Sequence, residues 1–307
     1  MTAADLLEAL ARATLAGSVV LLLVLALRIP ARRLFGPEAA YGLWAAPVGA
    51  ALLSLAPWPF GAPWPGAERM TLRPLVEQAG GWPTALAFLW FFGAAVGLFL
   101  ASRAQAAFER DAQAGRAGPA VCGVISPRVV MPARDPYSDD ERVLIRAHER
   151  EHVSRGDPKA NALAAALQVV FWFNPLVHLG ARAMRLDQEL ACDAATLRRY
   201  PKARRLYAEA LLKTELAHTP LPLGCRWPAA ARHPLEVRLA AMKGGARSGA
   251  VGGFATLAFT LAASGFMWAA KPAVPEPPER PWPEIPGPTM EVLLLDAMPT
   301  ALPTGAG

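Results

Sequence analysis

Four long apolar stretches, almost free of charged residues, most constrain the fold of this 307-residue chain. They lie at residues 10–29, 39–57, 84–102 and 249–270. Each has about the 20 residues that a helix needs to cross the hydrocarbon core of a bilayer. The alternative, buried core helices of a soluble protein, is disfavoured because Trp58, Trp82 and Trp268 sit at the stretch edges as interface anchors. We therefore expect a mainly α membrane protein with four transmembrane helices.

The distribution of basic residues predicts the orientation in the membrane. Arg28, Arg32 and Arg33 lie at or just beyond the end of the first stretch. Lys and Arg outnumber Asp and Glu in 103–248, whereas acidic residues predominate in 271–307. Because basic flanks mark the cytoplasmic side, we expect a multi-pass protein of the inner (cytoplasmic) membrane with both termini outside. The net charge of +6 follows from this bias. No nucleic-acid recognition motif accompanies it, so direct nucleic-acid binding is not expected.

These patterns divide the chain into four parts. Residues 1–102 are expected to hold three transmembrane helices, 103–248 a cytoplasmic domain, 249–270 the fourth transmembrane helix, and 271–307 a Pro-rich, disordered extracytoplasmic tail. All three cysteines fall in the cytoplasmic part, without C-x-x-C spacing, which predicts reduced thiols. They are Cys122, Cys192 and Cys225.

Gly93 and Gly97 form a G-x-x-x-G pattern within the third stretch. Small residues at this spacing allow two helices to approach closely, either within one chain or in a homodimer. They are also simply common in an alanine-rich chain, and the sequence leaves these interpretations open.

Residues 148–152 carry the motif H-E-x-x-H. On a helix, His148 and His152 share one face, because positions i and i+4 lie one above the other. Their imidazoles can therefore bind one zinc ion, while Glu149 lies near enough to accept a proton from water. The motif predicts a zinc endopeptidase that cleaves a peptide or protein substrate beside the lipid bilayer.

The segment around this motif has the signals of a well-defined helix. Ser138 and Glu141 form a predicted capping box, and Gly156 with Pro158 is typical of a helix end. Upstream, the runs 120–125 and 128–131 are β-prone and predict a small hairpin. The hairpin could bind substrate by strand addition or could serve packing alone.

A second helix is expected to begin at Asn174-Pro175 and to supply the third metal ligand. Glu189 is our candidate ligand, Asp193 could accept the outer N–H of a ligating histidine, and Arg185 could pair with either acid. A salt-bridged solvent-exposed face is the alternative. The apolar stretch 161–173 must then fold back at the inner membrane surface, against the interface or the other spans, to keep the ligands on one side. Five residues remain unassigned, each expected to be structural: His178, Tyr200, Tyr207, His218 and His233.

Together these motifs resemble the BlaR/MecR-type antirepressor membrane zinc metallopeptidases. The resemblance rests on four elements between the third and fourth apolar stretches: G-x-x-x-P-R-V-V-x-P (123–132), A-H-E-x-x-H-x-x-R-x-D (147–157), N-P (174–175) and D-Q-E-x-A-C-D (187–193). It implies a cytoplasmic gluzincin-like domain with His148, His152 and Glu189 as zinc ligands, Glu149 as the catalytic base and Asp193 in support.

The resemblance also implies signal transduction, in which the peptidase cuts a cytoplasmic transcriptional repressor or itself. The penicillin-binding sensor domain of the best-known members is expected to be lacking, since the S-x-x-K motif is absent. Two other functions remain open: a housekeeping membrane metalloprotease, and a signalling scaffold whose zinc is structural. The inducing signal, the cleavage site and the oxyanion-stabilising residue are not predicted.

Overall fold

The computed structural model describes residues 2–56, 81–133, 136–216, 234–243 and 250–269. These residues are mainly helical, with one two-stranded sheet. In chain order the elements are α1 (Ala3–Phe35), α2 (Pro37–Gly42), α3 (Ala45–Leu55), α4 (Trp82–Gln113), β1 (Ala120–Cys122), β2 (Arg128–Val130), α5 (Asp139–Arg155), α6 (Asp157–Val170), α7 (Pro175–Arg199), a 3-10 turn (Pro201–Ala203), α8 (Arg204–Leu216), α9 (Pro234–Lys243) and α10 (Ala250–Ala269). Trp58 and the predicted tail at 271–307 lie outside the described residues.

Three helices of the described chain, α1, α4 and α10, are long and apolar enough to cross a membrane. They coincide with the predicted stretches 10–29, 84–102 and 249–270. Large apolar side chains on their outer faces, such as Leu15, are exposed. Exposed apolar surface on this scale suits contact with lipid rather than with water.

The transmembrane helix predicted over 39–57 is divided into two helices, α2 and α3, which meet at Leu43 and Trp44. Pro47 accounts for the break, because it has no N–H to donate to the Leu43 carbonyl. That carbonyl accepts from the Ala46 N–H at 3.0 Å instead. The indole N–H of Trp44 then donates to Asp187 of α7 at 2.9 Å. The break thus provides a polar contact to the helix that also carries Glu189.

Helices α6 and α7 form a hairpin that folds back against the other helices. Asn174 caps α7 by accepting from the Leu176 N–H at 3.0 Å, and its own amide donates to Ser18 of α1 at 2.9 Å. The Trp90 indole of α4 donates to the Val170 carbonyl at 2.8 Å. The predicted return of the 161–173 stretch therefore rests on contacts with α1 and α4.

Gly93 and Gly97 make a close helix contact within the chain. A Cβ on Gly93 would lie 2.2 Å from the Trp172 indole, and one on Gly97 would lie 3.7 Å from Val169. Because the α6–α7 hairpin covers this side of α4, the homodimer contact that the sequence allowed at these glycines is not supported.

The predicted hairpin is present as the antiparallel pair β1 and β2, with Ala120 opposite Val130. Gly123 begins the turn with φ of 96°, where a Cβ would meet the Ser126 carbonyl oxygen at 2.7 Å. Both strands contact α5, the helix that carries the H-E-x-x-H motif. The hairpin therefore forms one wall beside the motif.

We predict that Gly93→Ala lowers the thermal stability of the protein in detergent, because the added methyl group must displace Trp172. Overpacking of this kind costs about 1–3 kcal/mol. Gly253→Ala in α10 is the matched control, since a Cβ there meets nothing within 4 Å. Equal melting temperatures for the two variants would contradict the close packing of α4 on the α6–α7 turn.

Candidate metal centre

Helix α5 begins and ends as its sequence predicts. The Ser138 hydroxyl accepts from the Glu141 N–H at 3.3 Å, and the Glu141 carboxylate accepts from the Ser138 N–H at 2.8 Å. Gly156 ends the helix in the left-handed conformation, with φ of 75°. The helix is therefore regular through the motif, and His148 and His152 lie on one face as predicted.

The predicted metal ligands come together at one point. The Nε2 atoms of His148 and His152 lie 3.1 Å apart. The Glu189 carboxylate, carried by α7, lies 3.3 Å from the first and 3.5 Å from the second. Helix α7 packs across α5, and this crossing brings the carboxylate to a motif 37 residues earlier in the sequence.

The three groups suit a zinc ion in both chemistry and spacing. Zinc binds imidazole nitrogen and carboxylate oxygen at about 2.0–2.2 Å, which places the ligand atoms of a tetrahedral site about 3.3 Å apart. The three observed separations, 3.1, 3.3 and 3.5 Å, bracket that value. The histidine side chains are almost buried, whereas that of Glu189 is 32% exposed. The site is therefore accessible from the Glu189 side.

The electrostatic environment of the three predicted ligands favours a cation. Burial alone lowers the pKa of His152, but the nearby Glu189 carboxylate and the hydrogen bond to Asp157 outweigh it and raise the pKa well above its ordinary value. Although burial alone would raise the pKa of Glu189, Arg238 and the two histidines hold it well below its ordinary value. Glu189 is thus an anion that is ready to bind a metal.

A tyrosine fixes the outer nitrogen of His148. The Tyr207 hydroxyl donates to Asp193 at 2.7 Å and therefore accepts from the Nδ1–H of His148, also at 2.7 Å. The direct separation between Asp193 and His148 Nδ1 is longer, 3.4 Å. Asp193 thus lies near His148, but Tyr207, which we expected to be merely structural, connects them. This arrangement leaves the Nε2 lone pair free for a metal.

Asp157 has the same role towards His152. Its Oδ2 lies 2.8 Å from His152 Nδ1, and its Oδ1 accepts from the Tyr41 hydroxyl at 2.9 Å. Asp157 is fully buried and follows directly after Gly156. Asp157 is not among the predicted site residues, although its position just beyond the H-E-x-x-H helix indicates that it could lie near the histidines.

Arg238 of α9 binds the two acids of α7. It donates to both oxygens of Asp193, at 2.7 and 2.8 Å, and its third nitrogen lies 3.0 Å from Glu189. Arg185, for which we predicted this pairing, donates to Gln168 at 3.3 Å. Arg238 comes 45 residues after Asp193, and no motif in the sequence pointed to it.

Glu149 is buried beside this cluster. Burial raises the pKa of its carboxyl group. The neighbouring histidines lower this pKa and Glu189 raises it, and the net pKa is above its ordinary value. A carboxylate with a raised pKa holds a transferred proton more readily than an exposed one. The environment therefore suits a proton acceptor.

Cys192 lies behind His152 with its thiol 3.3 Å from Nδ1, and Arg155 donates to the sulfur at 3.3 Å. Burial raises the pKa of this thiol to about 11. Cys122 and Cys192 are free, as predicted, and Cys225 lies outside the described residues. His178 bonds Gln168 and the Trp172 carbonyl, which fits its expected structural role, whereas His218 and His233 lie outside the described residues.

Comparison with known proteins agrees with this geometry. Residues 111–242 match the family described as BlaR1 peptidase M56. This M56 region thus resembles proteins of the BlaR/MecR type, as the sequence motifs predict. The match lies within the predicted segment 103–248, and it includes the two histidines, Glu189 and Arg238.

Two relatives illustrate the likeness. The chain is 35% identical over 97 residues to the regulatory protein BlaR1 of Bacillus licheniformis, and this alignment covers 31% of the chain and 16% of that protein. It is 30% identical over 101 residues to the methicillin resistance mecR1 protein of Staphylococcus aureus, covering 32% and 17%. The chain therefore spans about a sixth of the length of these relatives. No solved structure matches it.

We predict that Tyr207→Phe in the M56 domain weakens zinc binding about 10–100-fold, the usual effect of losing a group that orients a ligating histidine. The phenyl ring preserves the packing and removes only the hydroxyl between His148 and Asp193. Competition with a chromogenic chelator measures the affinity. Tyr200→Phe, in the same hydrophobic cluster, is the control and should bind zinc as the wild type does. An unchanged affinity in Tyr207→Phe would refute the role of its hydroxyl.

A second prediction concerns the ion pairs of Arg238. Arg238→Met leaves two carboxylates without their cation, and the loss of one partner from a buried ion pair costs about 3–5 kcal/mol. Arg198→Met removes a more exposed pair with Glu38 and should cost at most about 1 kcal/mol. Denaturant titration in mixed micelles compares the two. Equal losses would contradict a structural role for the buried pair.

Proposed function

We propose that this chain is a membrane-embedded zinc endopeptidase of the antirepressor, signal-transduction type, which cleaves a cytoplasmic regulator or itself. The observation that carries the proposal is the convergence of His148, His152 and Glu189 beside the buried Glu149. The name of the Bacillus licheniformis relative, a regulatory protein, favours this function over a housekeeping protease.

His148, His152 and Glu189 would hold the metal through Nε2, Nε2 and a carboxylate oxygen. When bound there, zinc would supply Lewis-acid chemistry, polarising a peptide carbonyl and making a water molecule more acidic. Three protein ligands and the exposed side of Glu189 leave room for a substrate, as in catalytic rather than structural zinc sites. This favours a peptidase over a scaffold with a structural zinc.

The protein groups around the ligands have separate tasks in this proposal. Glu149 accepts the proton of the attacking water and passes it to the leaving amine. Tyr207 and Asp157 keep the histidine protons on Nδ1, so that both Nε2 atoms face the metal. Arg238 holds Glu189 and Asp193 as anions in their observed positions.

Contacts along the helices support a topology with four crossings. The end of α1 contacts α7 two residues before Glu189, because Arg28 donates to Asp187 at 3.0 Å, and α4 leads into the β1–β2 hairpin beside α5. The chain must therefore cross back between α1 and α4. We assign this crossing to α2 and α3 together, because α3 alone has only 11 residues and packs along α1 with Ala51 opposite Gly17.

Helix α10 runs in the same direction as α3. Gly252, near its start, contacts Phe35, and Ser264, near its end, donates to the Ala46 carbonyl. The excess of basic residues near the metal centre supports a cytoplasmic position for that side. We therefore propose that both termini lie outside and that the peptidase faces the cytoplasm at the inner membrane surface.

The decisive experiment compares cells that carry the wild type with cells that carry Glu149→Gln. This substitution keeps the shape of the side chain and removes the proton acceptor. We expect cleavage to fall at least about 100-fold, while metal analysis of the purified variant still finds one zinc per chain. Quantitative proteomics of termini should find a cytoplasmic regulator, or this chain, cut only in the wild type.

Glu151→Gln is the matched control. It makes the same chemical change two residues further along the same helix, and cleavage should persist. Retained cleavage in Glu149→Gln would exclude the proposed role of this residue, and broad cleavage of many unrelated proteins would favour a housekeeping protease.

A further inference from the structure

A cavity of about 400 Å³ lies between α1, the α2–α3 segment, α6 and α7. This volume falls within the usual range for small-molecule sites. The walls are almost entirely apolar, and many lining side chains are small, among them Ala13, Gly17, Ala51, Ala164 and Ala181. Such walls offer water too few hydrogen-bond partners to hold it, and they suit an apolar ligand.

The cavity lies at the depth of the lipid acyl chains in the proposed topology. Its α1 wall runs from Ala13 to Leu21, a rise of about 12 Å, within the most apolar part of this helix. Between these positions Leu15 and Val19 point outward and are exposed. Lipid chains therefore lie on the other side of the same helix.

One polar group lies near the end of the cavity that is far from the metal centre. Thr14 lines the cavity, and its hydroxyl oxygen is buried with no hydrogen-bond partner among the residues that the structure describes. It follows Arg12, which pairs with Glu8 near the start of the helix. A ligand with one oxygen at this level and a long apolar chain below it would match the cavity.

We propose that this cavity binds one acyl chain of a membrane phospholipid from the leaflet opposite the metal centre. The Thr14 hydroxyl donates to the ester carbonyl, and the chain extends along α1 towards Tyr41 and Met184, which line the cavity.

The wall of the cavity is also part of the metal centre. The Tyr41 hydroxyl donates to Asp157 at 2.9 Å, and Asp157 bonds His152 at 2.8 Å. Arg155 lies over the Tyr41 ring, 4.6 Å from its centre. An acyl chain against this ring restrains Tyr41, and hence Asp157 and His152. This second part rests on the proposed function, because it assumes that His152 binds zinc.

Native mass spectrometry tests the binding. The 307-residue chain is reconstituted in phosphatidylcholine vesicles and extracted in mild detergent, and the mass of the intact complex is measured. We expect one retained phosphatidylcholine per chain. Thr14→Val should lower the retained fraction about fivefold, the effect of one lost hydrogen bond, and Ala164→Phe should abolish it by filling the cavity. Ala95→Phe, on the exposed face of α4, should retain the lipid.

Either of two results would overturn the proposal. The first is that the wild type retains no lipid, and the second is that Thr14→Val and Ala164→Phe both retain as much lipid as the wild type. A retained free fatty acid or peptide would refute the phospholipid assignment. Because lipid retention is measured without any cleavage, this test can fail while the peptidase proposal holds, and the reverse is also true.

Zinc affinity tests the link to His152. The lipid-loaded wild type should bind zinc several-fold more tightly than the delipidated protein, and Tyr41→Phe should remove this difference. Equal affinities with and without lipid would contradict the link while leaving the lipid site intact.

Discussion

Helix α7 carries three carboxylates, of which Asp187 and Asp193 are buried and Glu189 is partly exposed, and the rest of the structure depends on the groups that compensate them. Asp187 is bound by Arg28 of α1 and the Trp44 indole, Asp193 by Tyr207 and Arg238, and Glu189 by Arg238. Uncompensated burial of such charges is costly. The partners come from α1, the α2–α3 break, α8 and α9, so neutralising these acids draws the membrane helices and the peptidase elements around one helix.

The sequence was most informative where chemistry depends on local spacing. The capping box at Ser138 and the end at Gly156 defined α5, and helical periodicity put His148 and His152 on one face. Glu189 required one further step, that three ligands must share a metal. That condition predicted the fold-back of the 161–173 stretch. Such a condition is informative because a metal site imposes distances that few arrangements of helices can satisfy.

Contacts that depend on tertiary packing could not be predicted in this way. Arg238 and Tyr207 reach the site from helices whose positions no local pattern sets, and a tyrosine or arginine alone is usually structural. The hydropathy of residues 39–57 indicates one apolar stretch, and it does not show that Pro47 divides this stretch into α2 and α3. The partner of Gly93 was equally undetermined, because close packing is visible only once Trp172 is in place.

The unbroken course of α7 has a mechanical consequence. Its cap, Asn174, is bonded to Ser18 midway along α1, and Glu189 lies one straight segment of about 21 Å further on. An α-helix resists compression along its axis far more than a loop does. A shift of α1 at Ser18 would therefore displace α7 as a unit, and with it the Glu189 carboxylate relative to the two imidazoles.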